Sequence, residues 1–337
     1  MTRFAVVGLG AVGARAARQV HALGLPDELI LTSADAARAE EVRGAIGGPA
    51  RVAPWAEVLS SAPDAVVLCG GDQPDRAAAA LDAGAHVVAT TDSLTEIEEL
   101  LTLGPRAGRA GRVLVAGAGF SPGLSCVLVR HAADRLDSVE EIRVASSGTG
   151  GPACARQHHD GLGRPGPEWD DSAGGWVRPP AGSGRELCWF PDPTGAQDCY
   201  RAELAEPLLI HGAFPSAARI SSRRAASRRD RVTTRLPMLR RPHQEGLIGA
   251  VRVEVAGRSG PAAESHVLGA IDRPAVAAGA VAALAAHWAV EGRFTGPGGP
   301  GAPGAAGLAA LVTDTAGFLR QLAERGVKAA APVGAGG

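Results

Sequence analysis

Short apolar runs alternate with amphipathic stretches over the first third of the chain. "FAVV" (4–7) leads into a helix-period segment with Ala, Val and Leu on one face, and "ELILTS" (28–33) follows about 20 residues on. "DAVVLCGG" (64–71), "HVVATT" (86–91) and "RVLVAGAG" (112–119) repeat the apolar pattern, separated by helical segments over "QPDRAAAALDAG" and "SLTEIEELLTLG". Continuous apolar strands between helices predict a doubly wound parallel sheet, with ligands at the carboxyl ends of its strands. Farther on, "GAVRVEVAGR" (249–258) and "ESHVLGAI" (264–271) alternate every second residue across a Ser-Gly-Pro turn. That period predicts adjacent antiparallel strands in a second domain. The expected fold is therefore α/β, a Rossmann sheet followed by an α+β domain with a mostly antiparallel sheet. One face of that sheet is open to a partner subunit, so a homodimer is expected.

The first strand ends in Gly8, Gly10 and Gly13, a G-x-G-x-x-G at a strand-to-helix junction. Such a turn brings backbone N–H groups, here of Gly10, Ala11, Val12 and Gly13, against a pyrophosphate at a helix N-terminus. It predicts a bound dinucleotide, NAD or NADP. An acid ending the second strand would hold a ribose 2′-hydroxyl and repel a 2′-phosphate. That strand ends instead at Thr32 and Ser33, with Asp35 and Arg38 beyond, which leans toward NADP. Gly70, Gly71, Asp72, Thr91 and Asp92 follow later strands and are expected near the nicotinamide ribose.

The formal net charge of −1 gives no global field to attract nucleic acid or an anionic membrane. No apolar run approaches the roughly 18 residues that span a bilayer. Five scattered cysteines are an odd number and no disulfide framework, so reduced thiols and a cytoplasmic location are expected. Of 34 basic residues the only lysine is Lys328, which excludes a catalytic lysine in the middle of the chain.

"GFSPGLSCVLVRHAADRL" (119–136) starts a helix leaving the Rossmann domain, and "EEIRVASSGTGGPA" (140–153) reads as a strand and a Gly-Pro loop. Together they resemble the saccharopine dehydrogenase family of NAD(P)-dependent oxidoreductases, with Ser121 where that family often has Asp. "AIDRPAVAAGAVAALAAHWAVEGRF" (270–294) and "GLAALVTDTAGFLRQLAERGV" (307–327) resemble its returning and closing helices. The resemblance covers roughly residues 1–155 and 265–328. It implies a Rossmann domain over 1–122 completed by helices at about 270–292 and 307–328, and a substrate and dimerisation domain over 123–269. A Gly/Pro-rich flexible loop is expected over 294–307 and a disordered tail over 329–337. The Gfo/Idh/MocA-type oxidoreductases are close in fold, but their Glu-Lys-Pro lysine is missing from "ATTDS" (89–93).

Three clusters remain for the chemistry. "GGPACARQHHDG" (150–161) places Cys154 and His158 four apart, while the vicinal His159 points about 100° away on a helix. Zinc ligands in paired spacing are missing, so no metal is expected. A histidine suits protonation of an imine or deprotonation of an alcohol or amine. One of His158 and His159 is therefore expected in the cleft, where the resemblance implies the active site. "GSGRELCWFPDPTGAQDCYR" (182–201) offers Arg185 as a carboxylate clamp, with Asp192 or Tyr200 as acid–base groups, or else a structural loop. "ARISSRRAASRRDRVTTRLPMLRR" (218–241) holds nine arginines and one acid. Without an aromatic residue it reads first as a solvated basic face, and second as a source of one or two arginines for an acidic substrate. The resulting expectation is an NAD(P)-dependent oxidoreductase acting on an imine, amine or carbonyl of a small carboxylate-bearing metabolite. Its alternatives are a non-catalytic cofactor-binding sensor or assembly subunit, and a homospermidine-synthase-like transferase or lyase that recycles a tightly bound NAD.

Overall fold

A computed structural model describes residues 1–24, 26–234, 236, 238, 241–296, 299, 300 and 303–332. Six strands build the first sheet: β1 (Arg3–Val7), β2 (Glu28–Thr32), β3 (Ala50–Val52), β4 (Ala65–Leu68), β5 (His86–Ala89) and β6 (Val113–Val115). Helices α1 (Ala11–Ala22), α2 (Ala36–Ile46), α3 (Trp55–Ser60), α4 (Gln73–Asp82), α5 (Leu94–Thr102) and α6 (Gly104–Ala110) connect them. All pairings are parallel, in the order β6-β5-β4-β1-β2-β3. The order reverses beside β1, and the carboxyl ends of β1 and β4 frame the crevice there. Burial on both faces explains the unbroken apolar runs: β4 is fully buried, as are four of the five residues of β1.

After α7 (Leu124–Ala133) the chain enters the second sheet through β7 (Ser138–Ser147) and α8 (Pro152–Gly161). Short strands β8 (Glu168–Asp170), β9 (Gly175–Val177), β10 (Glu186–Trp189) and β11 (Ala196–Tyr200) lead to α9 (Glu206–His211) and β12 (Arg219–Ala225). Helix α10 (Arg228–Thr233) then precedes the long hairpin of β13 (Gly249–Ser259) and β14 (Ala262–Asp272). The sheet runs β10-β11-β12-β7-β13-β14 and is mixed, because β12 lies parallel to β7 while the other neighbours on this path are antiparallel. The alternation read in the sequence is visible in β13, where buried and partly exposed residues alternate from Val251 to Gly257.

The chain returns through α11 (Pro274–Val290), which is buried over nearly its whole length and packs on α1, β4 and β5. A helix apolar on every side belongs inside a protein, and its alanines allow close approach to the sheet. Helices α12 (Leu308–Leu311) and α13 (Thr315–Glu324) close the structure against α7. Two expectations of irregular chain need correction. Gly304–Ala306 pairs with β6 and Ala329–Pro332 pairs with β14, each adding a strand to an open sheet edge that offers unpaired backbone groups. Residues 297, 298, 301 and 302 of the expected loop, and 333–337 of the expected tail, lie outside the described residues. Among the described residues no helix is long and apolar enough to cross a membrane.

Candidate active site

A single cleft of about 1100 Å³ runs from the glycine turn to the second sheet. Its first wall is mostly backbone. Gly8 has φ +86°, and a Cβ there would stand 2.6 Å from the amide nitrogen of Gly70. A Cβ on Gly13 would lie 1.7 Å from the Gly8 carbonyl oxygen, so α1 reaches the turn only because that side chain is missing. Gly10 caps α1 and faces open space, with nothing within 4 Å of a Cβ position. The first turn of α1 carries no acid and no side-chain cap, which leaves its N–H groups for an anion. Ala11 and Val12 line the cleft here.

Gly70 and Gly71 face this turn across the crevice. Gln73 fixes them: its Nε2 donates to the Gly70 carbonyl at 2.9 Å, and its Oε1 accepts from the Thr91 amide at 3.2 Å. Arg38 lines the outer end, donating from Nε to the Leu9 carbonyl at 3.1 Å and from Nη1 to Glu41 at 2.7 Å. Arg15 and Arg18 join it from α1, and Arg15 pairs at 2.9 Å with Glu245 of the segment leading into β13. Ser33 and Asp35 are spent locally. Ser33 Oγ accepts from the Asp35 amide, and the Asp35 carboxylate caps α2 through the Arg38 amide.

The far wall is built from side chains. Asp92 follows β5, and one face of α8 presents Cys154 and His158 to it. His158 Nε2 lies 2.7 Å from Asp92 Oδ2, while Cys154 Sγ is 3.4 Å from that oxygen and 3.5 Å from either ring nitrogen. Burial pushes the Asp92 carboxyl up, but His158, and then Arg224, outweigh it and hold the group below the usual carboxylate range. Burial and the Arg224 charge pull His158 below 6.5 despite Asp92. Burial, then Asp92, raises the Cys154 thiol, so it is a protonated neighbour rather than a nucleophile.

Arg224 completes this wall from β12. Its Nη1 donates to Ser146 Oγ at 3.1 Å and its Nη2 to the Gly148 carbonyl. It is 5% exposed, lines the cleft, and forms no ion pair among the described residues. Its neighbour Arg223 points to the other side and pairs with Glu168, which also holds Arg201 at 3.0 Å. The reading of 218–241 as a solvated basic face therefore fails for these two arginines: β12 is an interior strand, and both are buried.

Other sequence-predicted residues lie elsewhere. His159 is buried on the opposite side of α8, with Nε2 3.0 Å from the Leu236 carbonyl. Arg185 is exposed just before β10 and bound to Asp198 at 2.9 Å. Asp192 sits exposed in the turn between β10 and β11. Tyr200 is 1% exposed beneath the Arg231 guanidinium, 4.1 Å from the ring centroid. Asp72 is exposed at the start of α4, outside the cleft lining. The aromatic and charged turn at 182–201 thus forms part of the outer sheet, with Phe190, Cys188 and Cys199 in a small core of their own. Asp92, Cys154 and His158 are also the one group among the described residues whose donor atoms cluster closely enough to hold a metal.

No protein-family model matches the chain, and no curated protein matches it either. Its fold is that of apo saccharopine dehydrogenase (L-glutamate-forming) from Saccharomyces cerevisiae: the two align with a TM-score of 0.70 over 98% of this chain and 99% of that one, at 13% identity. An engineered D-amino acid dehydrogenase bound to NADP⁺ aligns with a TM-score of 0.50 over 93% of this chain and 95% of that one, at 17% identity. At these identities the likeness is one of fold.

Proposed function

We propose that this protein is an NAD(P)-dependent oxidoreductase that interconverts an imine and amine, or a carbonyl and alcohol, in a small carboxylate-bearing metabolite. The observation that carries the reading is the continuity of the cleft, from a glycine turn suited to a pyrophosphate to a buried arginine without an ion-pair partner among the described residues. Two solved structures that share the fold, a saccharopine dehydrogenase and a D-amino acid dehydrogenase bound to NADP⁺, add support.

The residues present fit a dinucleotide. The Gly10–Gly13 turn and the uncapped start of α1 would hold its pyrophosphate, and Gly70, Gly71, Thr91 and Asp92 would flank the nicotinamide end. Arg38, Arg15 and Arg18 suit a 2′-phosphate, and no acid ends β2 to repel one, so NADP is the preferred form. When bound, the nicotinamide supplies or accepts the hydride. Arg224 holds the substrate carboxylate, since a buried guanidinium with no ion pair among the described residues gains most from an anion. The Asp92–His158 pair handles the proton: neutral His158 accepts it in the oxidative direction and returns it in the reductive one. Cys154 packs against the pair and shields it from water.

The first experiment is a titration with NADPH and NADH followed by nicotinamide fluorescence. Tighter binding of NADPH is expected, and binding of neither would overturn the reading. A non-catalytic cofactor-binding subunit would be expected to fill the space beside the nicotinamide, and the open cleft weighs against it. Net cofactor consumption during turnover separates the oxidoreductase from an enzyme that recycles bound NAD.

A further inference from the structure

We infer that Glu206 is a positioning residue that sets the hydrogen-bonding sense of the Ser121 hydroxyl toward the cleft, an inference that rests on the reading above for its catalytic meaning. Glu206 begins α9 and is 1% exposed. Its Oε1 accepts from Ser121 Oγ, and its Oε2 has no partner among the described residues. Ser121 lines the same cleft as Asp92, His158 and Arg224. A carboxyl group is thus hidden one hydrogen bond behind a serine that lines the ligand space.

Burial raises the Glu206 carboxyl, against the Ser121 bond and the Arg224 charge, while Asp92 adds to the rise. From the other packed elements, α7 brings the protonated Cys126 thiol, and β8 brings Glu168, already committed to Arg201 and Arg223. Helix α12 (Leu-Ala-Ala-Leu) brings no titratable group.

A hydroxyl has one hydrogen and two lone pairs. With Glu206 ionised, Ser121 spends its hydrogen on the carboxylate and can only accept from a ligand. With Glu206 protonated, the acid donates to Ser121 Oγ and frees the serine hydrogen for the cleft. A carbonyl oxygen, or the nitrogen of an unprotonated imine, accepts through a lone pair, so the protonated state binds the oxidised substrate. The ionised state suits the alcohol or amine. Ser121 is then a second polar contact for the reacting group, distinct from the proton carried by His158.

Infrared difference spectroscopy of the full chain tests this without turnover. The expected result is a protonated-carboxyl band on the acid side that fades as pH rises, is missing in Glu206→Gln, and shifts in Ser121→Ala. No such band between about pH 5 and 9, or one indifferent to Ser121→Ala, would overturn the inference. If the band behaves as expected but no carbonyl or imine is reduced, the hydride-transfer reading fails and the dyad stands. With turnover, the reductive rate should fall as pH rises through the same transition, and Glu206→Gln should lose that fall. Ser121→Ala should lower kcat about tenfold. An unchanged pH profile in Glu206→Gln would reduce Glu206 to a packing residue.

Discussion

The two walls of the cleft are made in different ways. The wall proposed for the cofactor is centred on one short stretch, residues 8–13, whose main-chain N–H groups and missing side chains shape it. The wall proposed for the substrate draws Asp92, the Cys154 and His158 of α8, and Arg224 from three separated places and works through side-chain charge. The first depends on a local backbone shape. The second exists only when both sheets are assembled, because α8 and β12 must bring their residues to the end of β5.

Perturbing each wall separately should sharpen that contrast. The largest effect is expected from Arg224→Ala, which removes the buried cation: kcat/KM should fall about a thousandfold while NADPH affinity is retained. Equal loss of cofactor affinity would show that the walls are not independent. Next is His158→Gln, expected to lower kcat about a hundredfold, with His159→Gln having far less effect; steady-state kinetics on the pair decides. Because the His158 pKa is depressed, the oxidative rate should persist through neutral pH and disappear only below the ordinary histidine range.

On the first wall, Gly10→Ala should weaken NADPH binding about tenfold or more without lowering the Tm of the unliganded protein, since the added methyl meets nothing within the chain. Gly13→Ala should lower that Tm, because its methyl meets the Gly8 carbonyl. Arg38→Ala should reduce the preference for NADPH over NADH by about tenfold.

The smallest effect lies away from both walls. His86 on β5 has its pKa pulled to about 4 by burial and then by Arg112, and its Nδ1 accepts from the Val113 amide at 3.2 Å. A depressed histidine is stabilising above its ordinary 6.5 and loses that contribution as pH falls toward 4. Urea unfolding should show about 2 kcal/mol lost across this window, after allowance for partial exposure, and His86→Gln should flatten it.

The same contrast explains what the sequence made legible. The parallel sheet, with ligands expected at its strands' carboxyl ends, and the glycine turn follow from local period and spacing. Asp92 and His158 could be named individually, but their 2.7 Å contact could not, because it closes 66 positions of chain. Arg224 was one of nine arginines in a run, and only the direction of β12 separates it from Arg223, which faces the other side. Arg185, Asp192 and Tyr200 drew attention by composition, yet the hairpin that carries them lies on the outer part of the second sheet. Glu206 gave no signal in the sequence, because its partner Ser121 is 85 residues away.

The position of Arg224, buried in the cleft wall, has a practical corollary. A buried guanidinium that forms no ion pair among the described residues attracts small anions. Acetate, citrate or chloride in a reaction mixture would compete with substrate there, and the apparent KM would rise linearly with their concentration. A substrate screen run in a carboxylate buffer could miss the true substrate altogether, whereas the same screen in a zwitterionic buffer would leave the arginine free to find it.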